Sequence, residues 1–167
     1  SDYPLFLNQK SSSELNVTVI GTGGFGGYFA SNVLWCGQMP DCNLKLNLVD
    51  QECDDYVLRR VSSNIKDGNF DIQSFCVSAD TISFFDSIKN SRMIDSDYIM
   101  VSLGNDDNNI KTARELKLFF KRIGKNPFII TILRNKTKFA VLQKVLESEG
   151  IFSIGGIETV YSLDNIF

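Results

Sequence analysis

Gly21-Thr22-Gly23-Gly24-Phe25-Gly26 is a G-x-G-x-x-G run, set between the apolar stretch Val17 to Ile20 and a segment in which Phe25, Phe29 and Val33 recur at helical spacing. Main chain stripped of side chains at a strand-to-helix junction suits the diphosphate of a nucleotide. Gly21 permits a tight turn, Gly23 lets phosphate approach the backbone, and Gly26 allows the helix to lie close to the strand it follows. Thr22, Gly24 and Phe25 complete the candidate binding loop. The phosphates would face the free N–H groups and the positive dipole end of a helix starting near Gly23.

An acid at the end of the next strand is the second half of this signature, and Asp50 closes "LKLNLVDQE", 24 residues past Gly26 against a usual spacing of about 20. The surplus falls in the loop from Gly37 to Asn43. A carboxylate there accepts from ribose hydroxyls and repels a 2′-phosphate, which favours NAD or another adenine nucleotide over NADP. Three further strand ends carry candidates. Asp80, in "CVSADTISFF", either reaches the adenine or caps the helix bearing Ile82 and Phe85. Leu103, Gly104 and Asn105 follow the fourth strand, where the run to Asn109 reads as a capped helix start rather than a catalytic acid pair. Arg134, after the fifth strand, either balances a phosphate or is a solvated surface residue. There is no histidine, which removes the commonest general base and most catalytic zinc sets, so no catalytic residue and no metal ligand is assigned.

The elements that must position these residues can be read from periodicity. Leu15 to Gly21, Leu44 to Asp50, Phe70 to Ser78, Tyr98 to Gly104, Phe128 to Leu133 and Ile151 to Ile154 are short runs too apolar to be one-sided, and predict six strands buried on both faces. Between them, helical stripes run through Val57, Val61 and Ile65, through Thr81, Phe85 and Ile88, through Ile110, Ala113, Leu116, Phe120 and Ile123, and through Phe139, Leu142 and Val145 or Leu146. Strand and helix alternating in this way predict an α/β fold, a doubly wound Rossmann-type parallel sheet of about six strands in the order 3-2-1-4-5-6. Residues 1–14 read as a polar arm and 15–167 as a single nucleotide-binding domain. Because the chain begins at Ser1, it is read as a piece excised from a larger protein.

Composition narrows the partners. The chain has 167 residues, 43% of them hydrophobic and 13 of them Phe, enough for one core. Its 17 Lys and Arg stand against 20 Asp and Glu, with a net charge of -3, so no basic footprint for nucleic acid or an anionic membrane is expected. No apolar run approaches the ~20 residues that cross a bilayer, and no leader pattern opens the chain. A soluble cytoplasmic domain is the expectation. Cys36, Cys42, Cys53 and Cys76 show no paired metal-ligand spacing and are read as reduced, buried small hydrophobes.

With "VIGTGGFG", "LVDQE", "DSDYIMVSLGNDDNNIKTARELK" and "FIITILRN" in place, the chain resembles the TrkA-N or RCK N-terminal domain, from Asn16 to about Phe167. That resemblance implies a regulatory module binding NAD, NADH, ATP, ADP or AMP, with Gly21, Gly23, Gly26, Asp50, Asp80 and Arg134 at the nucleotide. It also implies further domains in the full-length protein and a possible homodimer, for which Phe119, Phe120, Ile166 and Phe167 are the surplus apolar residues. The chain shows Ser-Ala-Asp where that family has a Gly-Asp pair. The same glycine loop and Asp50, with "DDNNIKTARELKLFFKRIGKNPFI", also resemble ThiF and E1-type adenylating enzymes, in which Arg59, Arg60 and Asn64 would meet the phosphates. An NAD-dependent oxidoreductase fragment is the third possibility, although the proton-transfer residue such an enzyme needs is not evident.

Overall fold

A computed structural model describes residues 14–36, 42–52, 59 and 70–155. Six strands, β1 (Glu14–Ile20), β2 (Asn43–Asp50), β3 (Phe70–Cys76), β4 (Tyr98–Val101), β5 (Phe128–Leu133) and β6 (Ile151–Gly155), form one sheet in the order β3-β2-β1-β4-β5-β6. Every pairing is parallel. The described helices are α1 (Gly24–Cys36), α2 (Ile82–Lys89), α3 (Asp106–Arg122) and α4 (Lys136–Ser148), with a 3-10 turn at Arg92–Asp95. This is the doubly wound, Rossmann-like arrangement expected from the alternation of periods. The helical stripe at Val57, Val61 and Ile65 lies outside the described residues.

Each face of the sheet has its own core, as side chains alternating along a strand require. On one face Val17, Val19, Leu46, Leu48 and Met100 pack with Phe29, Ala30, Val33 and Leu34 of α1. On the other, Ile20, Val49, Ile99, Val101 and Leu133 pack under α2, α3 and α4 through Phe84, Ile88, Ala113, Leu116, Phe120 and Leu146. The second helix is turned by one position from its expected register. Phe84 is fully buried, while Phe85 stands edge-on to it at 5.1 Å and reaches Phe119 at 5.3 Å. Phe120 is therefore a core residue and half-buried Phe119 packs at the core's edge, so neither is a free apolar side chain kept for a paired surface. Ile166 and Phe167 lie outside the described residues.

Three expectations change. β3 is half exposed rather than buried on both faces, because among the described residues it is an edge strand that pairs with β2 alone. β4 ends at Val101 rather than Gly104, since the N–H of Leu103 turns away to the side chain of Asn109 at 2.6 Å. Cys76 is disulfide-bonded, so the four cysteines are not all reduced. A disulfide is uncommon in a reducing compartment, and cysteine usage no longer supports a cytoplasmic setting. Cys42 is free, and burial pushes its thiol pKa up. Among the described residues, no helix is long and apolar enough to cross a membrane.

The lower half of the second face is polar. Asn16, Thr18, Asn47 and Ser96 are buried and satisfy one another beneath the 3-10 turn. Asn47 donates to Asn16 at 2.8 Å and to Thr18 at 3.0 Å, and Thr18 pairs with Ser96 at 2.7 Å. Arg92 lies across β2 and β3, donating to Asn47, to the Leu46 and Asp71 carbonyls and to the Asp71 carboxylate. Hydrogen-bonded in this way, polar residues can occupy strands that would otherwise demand apolar ones.

Candidate functional site

Gly21 sits where the strand order reverses, with β2 on one side of β1 and β4 on the other. Its N–H donates to the Val49 carbonyl at 2.8 Å, and the N–H of Ser102 donates to the Ile20 carbonyl at 2.8 Å. The loop is thus wedged between two strands. Gly21 has φ +84°, and a Cβ on it would stand 2.2 Å from the Ser102 carbonyl oxygen. A Cβ on Gly26 would stand 1.8 Å from the Gly21 carbonyl oxygen, so α1 approaches its strand as closely as it does only because that position is bare. Gly23 and Gly24 differ: a Cβ on either meets nothing within 4 Å. The first turn of α1 carries no acid, and Gly23 before it has no side chain to cap the amino end. That end of the helix faces open space with its N–H groups and positive dipole, a setting suited to an anion.

Asp50 holds this loop from the side. Its Oδ2 accepts from the N–H of Thr22 at 2.8 Å and from the Thr22 hydroxyl at 2.7 Å, and its Oδ1 accepts from the N–H of Gln51 at 2.7 Å. Burial pushes the carboxyl pKa up, but donation from Thr22, Gln51 and Glu52 outweighs it and holds the group below its ordinary value.

The other strand ends are shaped by local caps. Thr81, not Asp80, takes the N-cap position of α2, and its hydroxyl donates to the Ser78 carbonyl at 2.7 Å. The Asp80 carboxylate accepts from the Ser78 hydroxyl. Asn105 caps α3 by accepting from the N–H of Asn108 at 2.8 Å. Asp106 is buried and accepts from the N–H groups of Arg134 at 2.8 Å and Asn135 at 2.9 Å. Asn109, fully buried, accepts from Leu103 N–H and donates to the Ile132 carbonyl at 2.9 Å. The polar run from Asn105 to Asn109 is therefore a staple across the ends of β4 and β5. Arg134 is exposed and donates to the Gly104 carbonyl at 3.1 Å.

These ends enclose a cleft of about 300 Å³. Gly21, Gly23, Asp50, Asp80, Leu103, Gly104 and Arg134 line it, over a floor that includes Ile20, Val49, Val77 and Ala79. Thr22, Gly24, Phe25, Gly26 and Asn105 are not in its wall. Thr22 works on Asp50 from below, Gly24 opens α1, Phe25 packs on the core, and Gly26 seats the helix. Sequence reasoning did not assign to the site Gln51, Ser78 and Ser102, nor Asn108, Lys111, Thr112 and Glu115 of α3, which also line it. The last four form a polar stripe at helical spacing beside the apolar one, but periodicity does not say what a polar stripe faces. Ser102 is more informative. The residue lines the cleft, and its hydroxyl is buried with no hydrogen-bond partner among the described residues.

Open space over Gly23, an unpartnered hydroxyl on Ser102 next to Gly21, a carboxylate across the switch point and an apolar floor could together hold a nucleoside phosphate. Arg60 and Asn64 lie outside the described residues, and Arg59 is exposed. In comparisons with known proteins, the chain matches no family model and no curated protein.

Proposed function

We propose that this domain binds an adenine nucleotide, NAD(H) or ATP, ADP or AMP, as a regulatory ligand, in the manner of the TrkA-N or RCK domains its motifs resemble. One observation carries the reading. The bare amino end of α1 at Gly23 and the carboxylate of Asp50 open into the same cleft, at the point of the sheet where such ligands seat. In this reading the diphosphate lies on the Gly23 backbone with Arg134 at its edge, the ribose turns to Asp50, and the base lies over Val77 and Ala79. The ligand leaves unchanged, and its signal is its differential affinity for two states of the domain and whatever is attached to it.

Ligand-dependent thermal unfolding tests this. At about 100 times its dissociation constant a ligand adds about 2.7 kcal/mol of stability, and NAD, NADH, ATP, ADP and AMP are to be compared at millimolar concentration. We expect at least one to raise the melting temperature of the natural chain. Gly23→Leu, whose side chain enters empty space, should melt at an unchanged temperature without ligand and lose the shift. A natural chain whose melt is unmoved by all five overturns the proposal.

A further inference from the structure

A doubly wound sheet offers two mononucleotide halves, one on either side of the switch point, and a dinucleotide uses both. The halves differ here. The ends of β1 to β4 and one side of α3 supply the cleft wall, whereas from beyond β5 only Arg134 joins it and no described residue of α4 or β6 does. Over the second half the amino ends of α3 and α4 are tied together. Asp106 accepts from the N–H groups of Arg134 at 2.8 Å and Asn135 at 2.9 Å, Lys138 donates to Asp107 at 2.8 Å, and the Arg134 side chain reaches back to the Gly104 carbonyl at 3.1 Å. Both helix ends are also capped, by Asn105 on the N–H of Asn108 at 2.8 Å and by Asn135 on that of Lys138 at 3.0 Å. At the end of β6 the Phe139 ring lies against Gly155, where a Cβ would stand 2.2 Å from its Cγ. The bare amino end at Gly23 thus has no counterpart at α3 or α4.

Resting on the nucleotide reading, we infer that the ligand is an adenine mononucleotide with a free terminal phosphate, such as ADP, and not the dinucleotide NAD(H). The adenosine lies in the open half of the crevice and the phosphate chain ends at Arg134, whose guanidinium gives one N–H to Gly104 and keeps others for an anion. A terminal phosphate gains from that cation. A second ribose in the same place meets the tie between Arg134 and Gly104, and the nicotinamide beyond it stays in solvent. The atoms that NAD adds to ADP are then left unburied and contribute little affinity.

The test is calorimetric affinity for ADP, ADP-ribose and NAD, on the full chain and on Arg134→Ala. ADP-ribose carries the second ribose without the nicotinamide and so separates the two parts. In the natural chain ADP should bind roughly tenfold more tightly than either, the worth of a hydrogen bond to a charged group, and NAD should match ADP-ribose within about threefold. Arg134→Ala removes an exposed side chain; it should weaken ADP roughly tenfold, leave NAD within about threefold of its former affinity, and so close the gap. A natural chain that binds NAD as tightly as ADP, or more tightly, overturns the inference and leaves the nucleotide reading standing. So does a folded Arg134→Ala that keeps the full preference for ADP. Binding of none of the three to the natural chain removes the nucleotide reading, and the inference with it.

Discussion

Gly26 and Asp50 do different work around the glycine loop, and each yields an expectation that can be measured. At Gly26 the neighbour of any added Cβ is main chain at 1.8 Å, which cannot rotate away. Gly26→Ala should therefore cost about 3 kcal/mol or more of stability, at or beyond the upper end of ordinary overpacking, as read by denaturant unfolding. Little loss would mean that α1 is not held against β1 as closely as the structure has it. Asp50 acts through its charge. Its folded-state pKa is depressed, so its contribution is present above the ordinary Asp pKa of about 3.9 and is lost as pH falls through the lower folded value. The stability gap between the natural chain and Asp50→Asn should be widest at neutral pH and close below about pH 4. A gap independent of pH would show that the hydrogen bonds of Thr22 and Gln51 do not favour the ionised form.

At the scale of elements, the sheet edge that carries the cleft is kept in shape by the amino end of α3. Asn109 ties the Leu103 N–H to the Ile132 carbonyl, and Asp106 ties the two N–H groups that leave β5. Asn109 is fully buried, so removing its side chain leaves both partner groups without their hydrogen bond. Asn109→Ala should cost about 2 to 4 kcal/mol, the penalty of stranding buried polar groups. It should also weaken nucleotide binding, because Leu103 and Gly104 line the cleft. A variant with normal stability would show that water repairs the break. Much of this element was visible in the sequence. The polar run before Ile110 reads as a helix start, and Asn105 does cap it. What it could not reveal is that Asp106 and Asn109 point inward across two strand ends, since that depends on strands distant along the chain.

For the whole molecule, the question is whether the proposed nucleotide site comes with a reaction. The chain has no histidine. The cations and acids around the cleft are largely committed elsewhere: Asp106 to the turn after β5, Arg134 in part to Gly104, and Lys111 loosely to Glu115 at 3.9 Å. Rate enhancement by a preorganised site requires charges aimed at the reacting atoms. The expected outcome is that the domain neither releases pyrophosphate from ATP with magnesium nor oxidises NADH with carbonyl acceptors above the rate of Gly23→Leu. Steady pyrophosphate release would favour the adenylating reading, and NADH oxidation the dehydrogenase.

Local periodicity and punctuation were enough to determine the order of strands and helices, the parallel sheet and the position of the glycine loop at its switch point. Each follows from chain geometry acting over a few residues, and a 3.6 or 2-residue repeat is a local property. Tertiary structure alone decided the rest. β3 reads as buried but is half exposed, because edge position depends on which strand has no second neighbour. Phe119 reads as surplus surface but packs on Phe85 and Phe120. Cys76 reads as a free thiol but is bonded. Asp50 reads as a ribose ligand. Only the fold, by bringing the N–H and hydroxyl of Thr22 to Oδ2, shows that this carboxylate also holds the glycine loop.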